Sequence, residues 1–296
     1  MMKMNTYDNL VSDSVLMELD NRIESILNGT GIFYRYWSRI KSGESIRKKF
    51  SQRTDKSDYK MQDLIGCRIV CYFEEDIGIC EKLFCERFYE REKDRSIDEI
   101  DIETFKPIRR NYVFDLPEDV RERMDASLWS RGFDITFECQ FRTVLSEGWH
   151  EVEHDLRYKH KEPWTRAARL SRELNGILAT LQSGEWTLLK VCDDLAYKCY
   201  KEKEWTHMLR NKARIRFLDD EIPQNITEIL DNDSEVGKRL LNFDKLKLLM
   251  FLANAHLPLT MRNVIYCING LEIHNASLEK LTPQLIKERL NNAMCS

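Results

Sequence analysis

Residues 133–143, Phe-Asp-Ile-Thr-Phe-Glu-Cys-Gln-Phe-Arg-Thr, alternate without a break between apolar and polar side chains. Phe133, Ile135, Phe137, Cys139 and Phe141 form one set; Asp134, Thr136, Glu138, Gln140 and Arg142 form the other. Successive strand residues point to opposite faces, so a half-buried β-strand gathers the whole apolar set into one core, whereas a helix would scatter it. The chain must therefore hold a sheet with one buried face. The other face offers a carboxylate, an amide and a guanidinium in succession, which suits either a ligand surface or an ordinary solvent-facing edge.

Other segments add helices to this sheet. Val15, Leu16, Leu19, Ile23, Ile26 and Leu27 recur at helical spacing, predicting a helix over 13–27 that Gly29 stops. A basic helix is expected over 44–52, a strand over 64–73, a helix over 76–88, a short strand over 111–116 and a helix over 144–159 whose buried stripe is Leu145, Trp149, Val152 and Leu156. Residues 89–104 are heavily charged and read as a surface connection. From Pro163 the pattern turns helical, with two long segments at 164–182 and 185–210, a hinge at 217–224, and short helices broken at Pro258, Gly270 and Pro283. The expected fold class is α+β: a mixed β-sheet flanked by helices, with an all-helical C-terminal extension. The expected organisation is an N-terminal helix (1–30), a sheet domain (31–160), long helices packing on it or on a second subunit (161–216), and a helical module (217–296).

Charge and cysteine usage exclude some classes. The net charge is -4, so overall charge does not drive nucleic-acid binding, and DNA is not an expected partner. Nine cysteines without a C-x-x-C pair read as free thiols in a reducing compartment. The most apolar stretch, 246–259, carries Lys247, Asn254 and His256 and is too short to span a bilayer. A cytoplasmic protein without a membrane partner is the expectation.

Four fragments carry chemistry. Arg39, Lys41, Ser45 and Lys49 fall in a basic segment where Lys41, Ser45 and Lys49 are spaced i, i+4, i+8. One helix would place them in a row that suits a polyphosphate, or simply a solvated basic face. In Asp63-Leu64-Ile65-Gly66-Cys67-Arg68, alternation puts Gly66 and Arg68 on one face, where glycine leaves room for a flat base beside a guanidinium. Asp63 at the strand's edge offers a hard oxygen for Mg²⁺, or makes an ordinary salt-bridged turn. Glu138, Gln140 and Arg142 line the polar face of the third fragment, and Trp149, Glu153, His154, Tyr158 and Lys159 lie on the helix after it.

In this order, R-x-K-x-x-x-S-I-x-x-K, D-L-x-G-x-R, E-x-Q-x-R-T and W-x-x-x-E-H-x-x-x-Y-K resemble the synthetase domains of the RelA/SpoT family, over roughly residues 31–160. The resemblance implies a nucleotidyltransferase-like mixed sheet and an ATP-dependent pyrophosphokinase. Arg39 and Arg68 would flank the adenine, Lys41, Ser45 and Lys49 would hold the phosphates, and Asp63 and Glu138 would bind Mg²⁺. Asp63, Arg68 and Glu138 would be the catalytic set, with Glu138 taking the acceptor's proton. The acceptor side, drawn from Arg109, Arg110, Tyr112, Gln140, Arg142 and His154, departs from the family pattern P-K-x-x-G-Y-x-S-x-H. Here Pro107 and Tyr112 remain, while the Lys, Gly, Ser and His do not. Tyr112 either stacks on guanine or joins Phe114 in the core. GDP or GTP, giving (p)ppGpp, is the first acceptor the resemblance implies; an adenine nucleotide or the tRNA 3′ end is the toxin-type alternative. Small synthetases of this kind imply a homo-oligomer.

One literal motif competes. His150-Glu151-Val152-Glu153-His154 fits H-E-x-x-H, and His160 stands where a third zinc ligand would fall. Arg157 occupies the position where that turn needs glycine, which weakens the protease reading. A third possibility is a degenerate synthetase that only binds a partner.

Overall fold

Five strands form one mixed sheet in the order β1-β2-β5-β4-β3. They are β1 (Tyr34–Ile40), β2 (Ile65–Cys71), β3 (Ser96–Ile97), β4 (Arg110–Asp115) and β5 (Thr136–Thr143). β2 and β5 run parallel; the other neighbours are antiparallel. The computed structural model describes residues 7, 10–52, 59–98 and 108–295. Pro107 and the last part, 99–104, of the charged connection expected at 89–104 lie outside the described residues.

The helices, in chain order, are α1 (Asp13–Thr30), α2 (Gly43–Ser51), α3 (Glu75–Arg87), α4 (Glu118–Arg121), α5 (Val144–Val152), α6 (Lys161–Arg166), α7 (Ala168–Lys201), α8 (Trp205–Ala213), α9 (Gln224–Asn232), α10 (Ser234–Leu241), α11 (Lys245–Ala255), α12 (Met261–Ile268), α13 (Ala276–Leu281) and α14 (Gln284–Cys295). The chain divides into two compact units, Met1–Glu24 with Tyr34–Leu181, and Ser25–Phe33 with Gln182–Ser296.

In the first unit the two-faced character read from 133–143 holds from Phe137 onward. Before it the pattern fails, since β5 starts only at Thr136, Asp134 and Thr136 are buried with Phe133, and Ile135 is half-buried. Phe137, Cys139 and Phe141 of β5 are buried, as are Cys67, Ile69 and Cys71 of β2 and Tyr112 and Phe114 of β4. α3 closes this face with Phe84, whose ring meets Phe141 edge-on at 5.3 Å; Phe88, just past the helix, meets Phe137 edge-on at 5.2 Å. Each such ring contributes about 1.5–3 kcal/mol by leaving water, with a further ~1 kcal/mol from edge-to-face geometry. α1 covers the β1 end, where Asp20 accepts hydrogen bonds from Tyr36 Oη (2.6 Å) and Ser38 Oγ (2.8 Å).

Several elements differ from expectation. β1 was not anticipated. α1 runs through Gly29 and ends at Thr30; the break comes at Gly31, whose φ of 72° is the left-handed region that glycine enters freely. The helix expected over 144–159 is α-helical only to Val152 and continues as a π-helical turn, Glu153–Tyr158. Its apolar stripe is not buried throughout: Trp149 is buried, but Val152 and Leu156 are exposed. The two long helices expected at 164–182 and 185–210 are a single α7 and a shorter α8.

In the second unit the hinge expected at 217–224 is instead a pinned loop. Leu218 N donates to Leu259 O at 3.0 Å, and Met261 N donates to the Asp219 carboxylate at 2.8 Å. Gly270 does not break a helix; it lies in a π-helical turn, Asn269–Ile273, and a Cβ there would stand 2.3 Å from a Leu290 methyl. The chain leaves that turn at His274, with φ 58°.

Candidate active site

The register of the sheet fixes what the uncovered face presents. Arg39 of β1 lies opposite Gly66 of β2, and Gly66 lies opposite Glu138 of β5. One step further along, Trp37, Arg68, Gln140 and Asn111 form the next cross-strand row. Directly opposed residues share a face, so Arg39, Glu138, Arg68 and Gln140 all project to the side away from the aromatic core.

Gly66 leaves a gap in this face. A Cβ built on it would meet only the Arg39 side chain, at 3.9–4.0 Å, which is ordinary contact. Packing within the protein therefore does not demand glycine; the open strip between Arg39 and Glu138 does use it.

At one end of the strip stands a cluster of opposite charges. Lys41 follows β1 directly and its N–H donates to Leu64 O at 2.9 Å. Lys41 Nζ donates to Asp63 Oδ2 at 2.5 Å, and Lys49 Nζ from the last turn of α2 reaches the same oxygen at 2.8 Å. Burial alone would raise the Asp63 carboxyl, but the two ammonium groups outweigh it and hold it below the usual range. Asp63 Oδ1 is buried and has no hydrogen-bond partner. The single helical row expected for Lys41, Ser45 and Lys49 does not form, because α2 begins at Gly43 with Ser42 as its cap. Ser45 is exposed in the first turn, its Oγ 2.9 Å from Ser42 Oγ.

At the other end an ionic network joins the strands to α5. Arg68 Nη1 donates to Glu147 and Glu151 at 2.6 Å each, and its Nε donates to Gln140 Oε1 at 3.1 Å. Gln140 Nε2 in turn donates to Glu138 Oε1 at 2.8 Å. Arg142 Nη1 donates to the second Glu147 oxygen at 2.8 Å. Burial lowers the Arg142 guanidinium from its ordinary range, and neighbouring Arg68 adds to this. Burial also pulls Arg68 down, yet Glu147 and Glu151 more than offset it. Glu147 was missed in the sequence, although two carboxylates at i, i+4 just after a strand bearing arginine are a readable signal.

The acceptor residues do not gather on this face. Tyr112 pairs with Cys139 on the buried face, stacked on Phe114 at 5.9 Å and edge-on to Phe141 at 5.5 Å, so it belongs to the core. Arg110 shares that face and bonds both Glu81 oxygens at 3.2 Å. Arg109 is exposed and holds Asp98 through Nε and Nη2, at 2.9 and 2.7 Å. His154 is exposed in the π-helical turn, 3.0 Å from Asp155 and stacked on Tyr158 at 5.6 Å. Gln140 and Arg142 alone of the acceptor set lie in the network around Glu138.

The zinc motif is otherwise engaged. His150 is lowered to about 4, by burial first and then by the Arg142 and Arg68 guanidinium groups, and Glu151 is bonded to Arg68. Two cations beside His150 disfavour a third. Among the described residues no three His, Cys, Asp or Glu side chains are grouped to hold a metal ion.

A sheet face carrying ammonium, guanidinium and carboxylate groups around a glycine gap has the chemistry that suits a polyphosphate. Residues 38–163, a little under half of the chain, match the family model described as "Region found in RelA / SpoT proteins". Comparison with curated protein sequences gives no match. Among solved structures, small alarmone synthetase 2 from Bacillus subtilis is similar at 24% identity, over 62% of this chain and 97% of that one, with a TM-score of 0.43. Small alarmone synthetase 1 from Bacillus subtilis is similar at 23% identity, over 60% and 90%, with a TM-score of 0.46. A GTP pyrophosphokinase family protein from Streptococcus pneumoniae is similar at 19% identity, over 62% and 95%, with a TM-score of 0.41. Among the described residues no helix is long and apolar enough to cross a membrane.

Proposed function

We propose that the RelA/SpoT region is an ATP-dependent pyrophosphokinase that transfers the β,γ-diphosphate of ATP to a ribose 3′-hydroxyl of GDP or GTP. The observation that carries this reading is the convergence of Lys41 and Lys49 on Asp63, just ahead of the strand on which Gly66 pairs with Arg39 on one side and Glu138 on the other. The two ammonium groups suit the phosphates, and Arg39 and Arg68 suit positions around the adenine.

The buried, unbonded Asp63 Oδ1 fits a hard cation, and with Glu138 it would hold Mg²⁺. When bound, the ion would neutralise charge on the phosphate oxygens. Glu138 accepts the proton of the 3′-hydroxyl, held in place by Gln140. The 3′-oxygen bonds to the β-phosphorus, the bond from that phosphorus to the α,β-bridging oxygen breaks, and AMP leaves with that oxygen. Positioning and charge neutralisation supply most of the rate.

The core position of Tyr112 favours weighing a second acceptor, since guanine stacking there finds no surface. An adenine nucleotide or the 3′ end of tRNA is that alternative, in the manner of a toxin. α7 leaves Leu188, Val191 and Leu195 exposed in the second unit, which supports a homo-oligomer through this helix. A cytoplasmic location follows from the nucleotide substrates.

The test incubates the purified chain with ATP labelled in the β,γ-phosphates and GDP, GTP, ATP or bulk tRNA in turn. Label passing to GDP or GTP with AMP release is expected. Label on tRNA or ATP alone would move the acceptor to the second reading, and no AMP with any acceptor would leave the partner-binding alternative.

A further inference from the structure

The polar face of β1 carries one residue that phosphate binding does not explain. Trp37 is 49% exposed in the middle of the strand. Arg35 and Arg39 flank it on the same face and are also exposed. Across the strand pair stands Arg68, whose guanidinium is turned to Glu147 and Glu151. Among the described residues no ring packs against the Trp37 indole. The neighbouring Tyr36 and Ser38 point to the other face, where both bond Asp20, so the strand's attachment to the core does not use Trp37.

We infer that Trp37 is a specificity-determining residue whose indole forms a stacking wall for the base of the nucleoside triphosphate donor. This rests on the donor site proposed above. Trp37, Arg39 and Lys41 occur at every second residue, so along β1 an aromatic surface, a guanidinium and an ammonium follow at steps of about 6.6 Å. A nucleotide laid along the strand with its phosphates at Lys41 and Asp63 brings its base back to Trp37. An exposed indole with Arg35 and Arg39 on either side of it along the same strand face matches a ligand that is flat at one end and anionic along its length. The glycine at position 66 keeps the intervening surface open. An indole favours a purine over the smaller pyrimidine ring, so the residue sets base preference as well as affinity.

The experiment compares the full-length chain with Trp37→Ala and Trp37→Phe. It follows AMP or CMP formation from ATP or CTP at a fixed acceptor, and binding of α,β-methylene ATP by tryptophan fluorescence. Trp37→Ala should raise KM for ATP about tenfold, with a smaller loss for Trp37→Phe, and the loss should fall in KM rather than kcat. Preference for ATP over CTP should shrink, and quenching by the analogue should be reduced in Trp37→Phe. If the wild-type chain forms AMP while Trp37→Ala keeps its KM and its preference, the inference falls and the donor reading stands. A rise in the acceptor's KM alone also overturns it, as does altered subunit stoichiometry at unchanged ATP affinity. If the wild-type chain neither forms AMP nor binds the analogue, the donor reading fails and takes the inference with it. Unchanged urea midpoints guard against reading misfolding as lost stacking.

Discussion

Lys49 Nζ lies 2.8 Å from Asp63 Oδ2, the same oxygen that Lys41 Nζ holds from the opposite end of the segment. One carboxylate thus sets the positions of two ammonium groups that come from different elements. Asp63→Asn keeps the shape and removes the charge, so AMP formation should fall by roughly a hundredfold or more. Stability should fall by about 1–3 kcal/mol, because both lysines are partly buried beside it. Glu138→Gln should cause a similar loss of AMP formation without that loss of stability. Wild-type turnover in either variant would remove these residues from the chemistry.

Gly66 separates two roles that a glycine in a strand can play. A methyl at this position meets Arg39 at ordinary contact distance, so the fold should accept Gly66→Ala with a change in stability within about 0.5–1 kcal/mol, and of either sign. The same methyl would stand in the strip between Arg39 and Glu138. KM for ATP should rise about tenfold while the urea midpoint hardly moves. A large loss of stability instead would make Gly66 a packing residue.

The contrast between Gly66 and Tyr112 marks how far the sequence could be read. Period-two alternation carried the buried face and the placing of Glu138 with Gln140 and Arg142 over 137–143, where the chain is a strand. It misplaced Asp134 and Thr136, which are buried, because the strand starts only at Thr136. β1 escaped that reading. Its residues alternate between exposed Arg35, Trp37 and Arg39 and half-buried Tyr34, Tyr36, Ser38 and Ile40, so it lacks the apolar contrast that marks a strand. Lys41 and Lys49 were expected to converge through one helix; they converge through Asp63, a tertiary contact that local spacing does not encode. The continuity of α7 through Ser183 and Gly184 shows that small residues do not end a helix whose hydrogen-bond ladder is intact. Tyr112 illustrates the remaining gap: one motif letter fits two faces, and only the register with Cys139 decides between them.

Arg142 and Arg68 share Glu147, one through each carboxylate oxygen. Glu147→Gln would leave two nearby guanidinium groups without their common counter-charge. Arg142, already lowered by burial and by Arg68, carries most of that cost. A loss of about 2 kcal/mol is expected in urea unfolding, against less than about 0.5 kcal/mol for Glu151→Gln, whose side chain is 55% exposed. Equal effects of the two substitutions would mean that α5 is held to the sheet by Trp149 and its neighbours and not by these charges.

His150 gives the unit containing the sheet a dependence on acid. Burial first, then Arg142 and Arg68, lower it to about 4, against an unfolded value of about 6.5, while Glu151 opposes the shift and His154 adds slightly to it. Between these values the unfolded chain binds the proton and the folded chain does not, so stability rises with pH across the window. The contribution is fully present above about pH 6.5 and is lost as pH falls towards 4. After a discount for partial exposure it amounts to about 2 kcal/mol. Urea midpoints measured from pH 7 to pH 4.5 should therefore fall more steeply for the wild-type chain than for His150→Gln, which has no proton to take up. Parallel curves would show that the imidazole is solvated in solution and that Arg142 and Arg68 do not bear on it.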